Sequence, residues 1–559
     1  MKELFRRLFL VRQLAWEILV ASLFINVLSL ASPIFVIQVL NRYVGYGFDG
    51  TLVTLTSGTL LAAAFGFAFS SVRGRLAAAV SVGPDKELSG RVLSALTQVR
   101  LAALSRIPQN KLHEVLGGLQ TVQSAYSASQ ISAVLDLPFV LVFLLAIFLL
   151  SPLLAFLTIL ATASALWGGW LNVKHGRAAY RDMQQHTVAH RGLVSSAISG
   201  ADTLRAFLAG AYVRKLWDRQ MEALLFLQRR LTEQRSLGQA LIGGASMILR
   251  VLVYALGAML VVSGDLSMGG LIGVSILSAK VVQMASSFLQ AAFLLDKAQE
   301  GLRLLDEFQR LPRESFSGTA LKNFTGRVEL RDLAFAYPSN PGPLFESLNL
   351  TLGPGSILCV LGFNGSGKST FTKLLSGLLE PLRGQILIDG VELRQLSMEW
   401  WRRQILFVPQ DPSFLSGTFR DNILMAAPET SPERLGEAVR LADLRRYLDL
   451  SPDGLETPVL EGGRDLPMGI RKRLALARAL ITPGRLAILD EPTEGLDAEG
   501  NAAIYAVLNV LAKAGITLVI VTRDPNILKA AGQILDLSEK PVPKLVSVPR
   551  KAAPGEAPA

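Results

Sequence analysis

Six long apolar segments dominate the first half of the chain. Residues 52–71 form one of them and hold no charged side chain over twenty positions. A helix of twenty apolar residues is about 30 Å long, which matches the hydrocarbon core of one bilayer. Ser151-Pro152 and Ser263-Gly264-Asp265 are turn signals that divide two longer apolar runs into helical hairpins. The pattern predicts six membrane-spanning helices, at about 14–40, 52–71, 131–150, 152–172, 237–262 and 266–295.

The pattern changes after residue 296, where charged residues return. We expect the helical transmembrane domain to cover residues 1–312 and a Ser/Gly/Thr-bearing linker to cover 313–325. Strand-like and helical segments then alternate from 326 to 538, which is typical of an α/β domain. The final residues, 539–559, are rich in Pro, Ala and Lys and are predicted to be a disordered tail.

The overall composition supports a membrane protein. Of 559 residues, 50% are hydrophobic and 18% charged, and the mean hydropathy is +0.39, which excludes intrinsic disorder and argues against an ordinary soluble enzyme. The single cysteine, Cys359, and four histidines cannot form a disulfide scaffold or a zinc module. All four histidines lie before residue 191, so the α/β domain contains none.

The net charge of +11 lies largely on loops of one side. The N-terminal tail and the two long loops at about 73–111 and 174–235 are rich in Lys and Arg, whereas the opposite side carries only Arg42. Cations near span ends stay on the cytoplasmic side, so both termini are expected there. Contact with lipid, rather than nucleic acid, accounts for the charge. The alternative of a cleaved signal peptide remains, but the apolar run continues to Leu40.

Two cations interrupt the last two predicted spans. Arg250 lies in the fifth and Lys280 in the sixth. Charged residues within a bilayer usually face a bundle interior or an aqueous cavity, so both are candidates for a translocation path. For Lys280, the alternative is that its side chain reaches toward the membrane boundary.

A glycine-rich loop follows a short apolar strand at 357–361. In this pattern the glycines let backbone N–H groups converge on phosphate oxygens at a helix N-terminus. The lysine reaches the β- and γ-phosphates, and the following hydroxyl can bind Mg²⁺. The predicted nucleotide contacts are therefore Gly362, Asn364, Gly365, Ser366, Gly367, Lys368, Ser369 and Thr370, with Ser369 also a metal ligand.

A second apolar strand, at 486–489, ends in Asp490 and Glu491. Beside a phosphate loop, the first carboxylate is predicted to hold Mg²⁺ and the second to act as the general base that polarises the attacking water.

Together, the six spans and these motifs resemble an ABC exporter half-transporter over essentially the whole chain. The implied fold is an α-helical six-span transmembrane domain followed by an α/β P-loop nucleotide-binding domain that uses ATP and Mg²⁺. The resemblance implies that Tyr337 stacks on adenine and that Gln410 is the Q-loop glutamine, which touches the metal and takes part in catalysis. Asp497 matches the D-loop aspartate at the nucleotide, although the residues before it depart from the usual Ser-Ala.

Weaker signals resemble the type I secretion ATPases, particularly the protease-exporter branch without a peptidase domain. They are Glu461-Gly462-Gly463, Ser275-Ile276-Leu277 followed by Lys280, Thr522 with Pro525, and 35–40 with Gln38. The resemblance implies an unfolded polypeptide substrate, a periplasmic adaptor, an outer-membrane channel and a place in the bacterial inner membrane. Export of a lipid, peptide or drug remains an alternative.

The chain departs from the family pattern at the signature, which is Leu-Ser-Gly-Gly-Gln in the family. Here the matching stretch is Leu466-Pro467-Met468-Gly469-Ile470. Pro467 removes a hydroxyl and a backbone N–H, and Met468 adds bulk where glycine allows close approach. This signature is expected to bind a partner's nucleotide poorly.

A second departure is Arg523, which replaces the family's switch histidine. Arginine can bind a γ-phosphate and is a catalytic candidate here, but it only donates hydrogen bonds and is expected to attract Glu491. Two arrangements remain open. In a heterodimer the impaired signature serves one of two unequal sites, whereas in a homodimer both sites turn over weakly. A further hypothesis is a non-hydrolysing, ATP-binding partner subunit.

Overall fold

Contacts between residues separate the chain into two units close to Pro312. One unit comprises Met1–Val99 and Ser105–Leu311, and the other comprises Arg100–Leu104 and Pro312–Ala559. The computed structural model describes residues 2–47, 49–337 and 342–548.

The first unit is helical throughout its described part. A π-helical turn, Val39–Tyr43, and a 3₁₀ turn, Leu137–Phe139, interrupt the α-helices. The α-helices before residue 310 are α1 Lys2–Leu10, α2 Arg12–Ser29, α3 Ala31–Gln38, α4 Val44–Tyr46, α5 Asp49–Gln98, α6 Leu101–Leu104, α7 Gln109–Ala125, α8 Ala128–Asp136, α9 Val140–Leu150, α10 Pro152–Ser199, α11 Ala201–Ala206, α12 Gly210–Val262 and α13 Met268–Gln309. Of these, α6 belongs to the second unit.

The prediction of six spans is confirmed. Six helical stretches in the described residues are long and apolar enough to cross a bilayer: Arg12–Tyr46, Asp49–Gln98, Ala128–Leu150, Pro152–Leu171, Gly210–Val262 and Met268–Gln309. Several helices extend far beyond the predicted segments, because the apolar pattern stops where the bilayer stops while the backbone helix continues into water. Residues predicted to form loops therefore belong mostly to helices.

Both predicted hairpin turns are present. Ser151 is extended and precedes Pro152 at the first turn of α10, a position where the missing proline N–H costs no hydrogen bond. In the second turn Gly264 adopts a φ of +86°. The Ser267 hydroxyl then caps α13 by accepting a hydrogen bond from the Gly270 N–H at 3.0 Å.

The second unit alternates strands and helices. Its remaining elements are β1 Val328–Phe335, β2 Phe345–Leu352, β3 Ile357–Leu361, α14 Lys368–Leu375, β4 Arg383–Ile388, β5 Val391–Glu392, α15 Met398–Arg402, β6 Ile405–Val408, β7 Gly417–Thr418, α16 Phe419–Leu424, α17 Pro432–Leu441, α18 Arg445–Leu450, β8 Pro458–Val459, α19 Met468–Leu480, β9 Leu486–Asp490, α20 Ala498–Lys513, β10 Thr517–Val521, α21 Pro525–Leu528, β11 Gln533–Asp536 and β12 Lys544–Ser547.

The largest sheet has the strand order β12-β11-β3-β10-β9-β6 and is parallel except at β12. A separate antiparallel sheet has the order β2-β1-β4-β5. Every residue of β9 and β10 is buried. Alternate side chains of β3 enter two different cores, since Leu358 and Val360 join one and Cys359 joins the other. Parallel strands covered on both faces have this continuous apolar character.

The predicted disordered tail is wrong for residues 544–547. These residues form β12, which pairs antiparallel with β11 from Ser547 opposite Gln533 to Lys544 opposite Asp536. Pro and Lys are common on sheet edges, so a composition typical of disorder also suits an edge strand. The predicted tail beyond residue 548 lies outside the described residues.

A buried arginine attaches α1 to the rest of the helical unit. The Arg7 side chain is fully buried, lies 2.9 Å from Asp85 and stacks over the ring of Tyr126 at 4.2 Å. Burial raises the pKa of Tyr126 to about 12, against the opposing effect of Arg7. The N-terminal helix is thereby held by paired charge as well as by apolar contacts.

A second polar cluster joins three spans. Arg73 on α5 donates to Asp136 at the end of α8 at 2.7 Å, and Asn26 on α2 donates to the same oxygen at 3.0 Å. The arginine and aspartate side chains are 13% and 22% exposed. Within a bilayer such charges require partners, so this cluster explains how Asp136 is tolerated in an apolar run.

We expect Asp136→Leu to destabilise the protein by about 3 kcal/mol, because it leaves the guanidinium of Arg73 unpaired. The midpoint of thermal aggregation in detergent measures the effect. The double variant Arg73→Leu/Asp136→Leu removes both charges and should recover most of the loss. A double variant no more stable than the single one contradicts this account.

Candidate active site

The phosphate loop has the predicted local structure, a turn from β3 into α14. Gly367 stands immediately before the helix with a φ of +106°, and a Cβ there would lie 2.5 Å from Leu344 Cδ2. Only glycine fits both the backbone conformation and the space. The loop therefore ends at the N-terminus of α14, where free N–H groups favour an anion.

Strand order brings the predicted catalytic positions to one edge of the sheet. Strand β10 lies between β3 and β9, and Val521 pairs with Val360 on one side and with Asp490 on the other. The Glu491 N–H donates to Val521 O at 2.9 Å, which extends this pairing by one residue. Ligands of parallel α/β sheets bind beyond the carboxyl ends of the strands, which is where these residues lie.

Lys368 and Glu491 face each other at this edge. The lysine Nζ lies 3.5 Å from Glu491 Oε1 and donates to Gly362 O at 3.0 Å. Their side chains are 10% and 15% exposed. The ammonium group that is predicted to bind phosphate is thus already beside the predicted general base.

Asp490 precedes Glu491 in the chain, and its side chain is buried. Burial raises the pKa of this carboxyl, and hydrogen bonding from Ser369 and the charge of Lys368 partly oppose the shift. Its Oδ1 is buried without a hydrogen-bond partner among the described residues, as is the Ser366 hydroxyl. Mg²⁺ prefers oxygen ligands. The carboxylate of Asp490 and the hydroxyl of Ser369 are ligands of this type. These residues fit a magnesium ion.

Arg523 does not form the expected ion pair with Glu491. Two residues beyond β10, its guanidinium donates to Gly362 O at 3.0 Å and to Asn364 Oδ1 at 2.9 Å. In the described residues Lys368 takes the position beside the carboxylate instead. Both hydrogen bonds come from the two N–H groups of a single nitrogen, Nη2, which can serve two acceptors at once.

Two other predicted site residues, Tyr337 and Gln410, each make a side-chain hydrogen bond. The Tyr337 hydroxyl lies 3.0 Å from Thr370 Oγ1, at the far end of α14's first turn. Gln410, two residues beyond β6, donates to Glu494 Oε2 at 3.0 Å. Its role at the metal stays a prediction.

Asp497 caps a helix. Its Oδ1 accepts a hydrogen bond from Gly500 N–H at 2.8 Å at the start of α20 and lies 3.7 Å from Arg473. The described residues give Asp497 no contact with the phosphate loop, so its nucleotide role remains a prediction.

Lys472 is a functional candidate that sequence reasoning missed. Its side chain is 3% exposed, and Nζ donates to Glu491 O at 2.7 Å and to Glu494 O at 2.5 Å. Burial lowers the pKa of Lys472, and the surrounding carboxylates, Glu494 first, oppose that shift. Glu491 has a φ of +49°, a strained conformation that the ammonium group stabilises by holding its carbonyl.

The sequence contained only an indirect sign of this contact. Lys472 stands within Arg471-Lys472-Arg473, and consecutive residues of a helix point about 100° apart. Arg471 donates to Pro412 O and Arg473 pairs with Asp443, so only the middle cation points toward the catalytic strand.

The stretch that was matched to the family signature lies at the start of α19. Pro467 stands at the N-cap without a side-chain hydrogen bond, and Ile470 is buried in the core that also contains Cys359. Met468 remains 37% exposed. The proline and the buried isoleucine offer no polar side chain, and their match to the family's serine and glutamine stays a prediction.

The predicted translocation residues belong to the helical unit. Arg250 on α12 is exposed and lines a cavity of about 330 Å³, together with residues of α13. Lys280 on α13 is half-buried and does not line that cavity. Their place on a transport path stays a prediction.

Two family descriptions match separate parts of the chain. Residues 345–494 match "ABC transporter", and residues 15–286 match "ABC transporter transmembrane region". The chain belongs to the ABC transporter family. It is an ABC exporter with a transmembrane domain and an ATP-binding domain, and it couples ATP hydrolysis to transport.

Curated relatives of this ABC exporter include three toxin translocators. The Toxin RTX-I translocation ATP-binding protein of Actinobacillus pleuropneumoniae is 28% identical over 94% of the chain and 74% of its own length. The exotoxin translocation ATP-binding protein PaxB of Pasteurella aerogenes is 27% identical, over 93% and 73%. The alpha-hemolysin translocation ATP-binding protein HlyB of Escherichia coli is 27% identical, over 94% and 74%. The type I resemblance is supported, while the protease-exporter branch stays a prediction.

A solved structure has the same fold. A bacterial Atm1-family ABC exporter with ATP bound superposes with a TM-score of 0.83 at 19% identity and covers 96% of this chain and 95% of its own. The six-span and ATP-binding architecture is thereby confirmed.

We expect Asp490→Asn to stabilise the nucleotide-free ABC exporter at neutral pH. The folded protein holds this proton more tightly than the unfolded chain, because burial raises the pKa of Asp490. Wild-type stability relative to the variant therefore falls as the pH rises from about 3.9, the ordinary aspartate value, through the raised pKa. Above that window the variant should be more stable than the wild type and have a higher Tm.

Differential scanning fluorimetry across the pH range measures this difference. The exposed Asp449→Asn is the matched control and should leave Tm unchanged at each pH. Equal Tm values for wild type and Asp490→Asn at neutral pH contradict the expectation.

We expect Lys472→Met to lower kcat about tenfold while the dissociation constant for ATP stays unchanged. The methionine keeps the apolar stem but no longer holds the carbonyls of Glu491 and Glu494, so the general base loses its orientation. Lys472→Gln, whose amide can donate, should restore part of the rate. ATPase kinetics and binding of a fluorescent ATP analogue separate the two quantities.

Lys513→Gln, at the exposed end of α20, is the control for loss of a lysine. A proportional fall of ATP affinity, Tm and kcat in Lys472→Met, without rescue by glutamine, would mean that Lys472 has a structural role only.

Proposed function

We propose that this ABC exporter moves an unfolded polypeptide across the bacterial inner membrane, as one half of a dimer with two nucleotide sites. The observation that carries the proposal is the complete set of Lys368, Asp490 and Glu491 at one sheet edge, in a chain with six spans. The toxin translocators to which the chain is similar support a polypeptide substrate. The resemblance to type I secretion ATPases also implies a periplasmic adaptor and an outer-membrane channel.

The phosphate loop and its neighbours would bind ATP. Lys368 leaves Glu491 for the β- and γ-phosphates, which present a stronger anion, and Glu491 is then free to accept a proton from the attacking water. Lys472 keeps the backbone of that glutamate in place. Arg523 contacts the same loop through Gly362 and Asn364 and would supply positive charge toward the γ-phosphate.

Magnesium would be held by Ser369 and Asp490, with Gln410 completing the set when it leaves Glu494. The ion neutralises phosphate charge when it is bound. The buried, unpartnered Oδ1 of Asp490 supports this assignment.

The signature supports a heterodimer. Pro467 and the buried Ile470 cannot supply the donors that a partner's ATP requires, whereas the chain's own phosphate loop and Glu491 are intact. Pairing with a subunit that carries a normal signature gives the ATP bound to this chain a complete site. In a homodimer, neither ATP faces a normal signature.

The cationic loops support an orientation with both termini in the cytoplasm. The second unit then has access to cytoplasmic ATP, and ATP binding and hydrolysis shift the membrane helices between two arrangements.

We expect the purified chain alone to hydrolyse ATP well below one turnover per second, the low end of the usual range for enzymes. Coexpression with a half-transporter bearing an intact signature should raise the rate at least tenfold. Glu491→Gln should remove the added activity, and Lys368→Ala should remove ATP binding itself.

Transport is measured as ATP-dependent uptake of an unfolded polypeptide into inverted membrane vesicles that contain the pair. Uptake of a lipid or drug probe instead would overturn the polypeptide assignment. A chain that turns over several ATP per second by itself, sensitive to Glu491→Gln, overturns the heterodimer.

A further inference from the structure

We propose that the cavity beside Arg250 binds a carboxylate carried by the transported substrate. This inference rests on the proposed export function and names the chemistry of the contact. The cavity lies between α12 and α13, and its lining contains five serine hydroxyls and two glutamine amides besides the guanidinium. Ser246, Ser286, Gln283 and Gln290 are examples from both helices.

The charge of Arg250 is uncompensated. No carboxylate lines the cavity, and in the described parts of the chain the Arg250 side chain makes no hydrogen bond or ion pair. An isolated cation within a bilayer is costly, and intramembrane cations are usually paired. Elsewhere in the same unit Arg73 and Arg7 have their aspartates at 2.7 and 2.9 Å. Arg250 therefore needs an anionic partner that the lining residues of the cavity do not supply.

The depth of Arg250 in the membrane distinguishes a substrate carboxylate from a lipid phosphate as the anion. Arg250 precedes the last residue of α12, Val262, by twelve positions, which corresponds to about 18 Å along the helix. That distance is roughly half of a bilayer, so the phosphates of lipid headgroups lie too far away. A substrate that crosses the membrane does reach this depth.

The donor geometry favours a carboxylate. Guanidinium binds this planar group through two parallel hydrogen bonds, and serine and glutamine donors satisfy its remaining lone pairs. A volume of about 330 Å³ is near the lower end of the range for small-molecule sites, about 300–1,000 Å³. The cavity suits one or two residues of an extended segment, such as an acidic side chain or a chain terminus.

One wall of the cavity is held in place. Ser278 on α13 shares a buried hydrogen bond of 3.0 Å with Thr158 on α10. Leu249 and Val253 of α12 are buried against the same helices. The site is therefore preformed on three packed helices, which reduces the entropy lost on binding.

Cysteine labelling tests the electrostatics of the cavity. In the full-length Ser246→Cys variant, the native Cys359 is buried and serves as the unreactive background. Labelling rates are measured with an anionic (sulfonatoethyl) and a cationic (trimethylammonium-ethyl) methanethiosulfonate, each divided by its rate with free cysteine. We expect the anionic reagent to react at least fivefold faster after this correction.

Arg250→Gln should abolish that preference, and Arg250→Lys should retain most of it. Arg229→Gln removes the same charge from an exposed position on the same helix and should leave the preference unchanged. Ser286→Cys repeats the measurement from α13, in case one position perturbs packing. Equal rates for the two reagents at both positions, or a preference insensitive to Arg250→Gln, overturn the proposal.

Protection experiments identify the anion. An acetylated and amidated dipeptide containing glutamate should slow labelling of Ser246→Cys at least threefold more than its glutamine counterpart. Protection by inorganic phosphate or phosphatidylglycerol micelles that equals that of the glutamate peptide would overturn the carboxylate assignment.

The test is independent of the proposed function. Lys368→Ala abolishes ATP binding but leaves the labelling preference intact, so a failure of ATP-driven export and a failure of the anion site produce different results.

Discussion

The position of β10 between β3 and β9 is the constraint on which the nucleotide site depends. Backbone hydrogen bonds on both sides of this strand set the separation and register of its neighbours. The phosphate loop, Glu491 and Arg523 lie within two residues after the ends of β3, β9 and β10, respectively. A slip in any pairing would move these groups apart by more than 3 Å per residue, beyond the reach of a hydrogen bond.

Buried ammonium groups stabilise the acidic end of β9. Lys368 faces the Glu491 carboxylate, and Lys472 holds the backbone carbonyls of Glu491 and Glu494. The two lysines lie on different helices, Lys368 at the start of α14 and Lys472 in the first half of α19. Lys472 therefore connects α19 to the backbone of Glu491 at the end of β9. The Asp490 carboxyl differs, because burial raises its pKa and its Oδ1 has no hydrogen-bond partner among the described residues.

In the helical unit, charge is tolerated in two ways. Arg7 and Arg73 are paired with aspartates in the packed interior and contribute to structure. Arg250 is exposed and lines a cavity whose lining residues include no carboxylate. A cation in a span is therefore a structural residue when it has an acidic partner, and a candidate binding residue when it lines a cavity without one. Lys280 belongs to neither group on the contacts described.

The sequence by itself determined the six spans, the phosphate loop and the paired carboxylates Asp490 and Glu491. These features depend on local order: apolar length matches the bilayer, and glycine spacing sets a strand-to-helix turn. Composition alone wrongly predicted disorder for residues 544–547, because β12 is formed by pairing with β11, which composition does not reveal.

Only the tertiary structure decided which cation meets which anion. From the sequence, Arg523 was expected beside Glu491, but Lys368 occupies that place and Arg523 binds Gly362 and Asn364. The role of Lys472 and the cavity at Arg250 were equally hidden. Such contacts join residues far apart in the chain, and the direction of a long side chain is set by the packing around it.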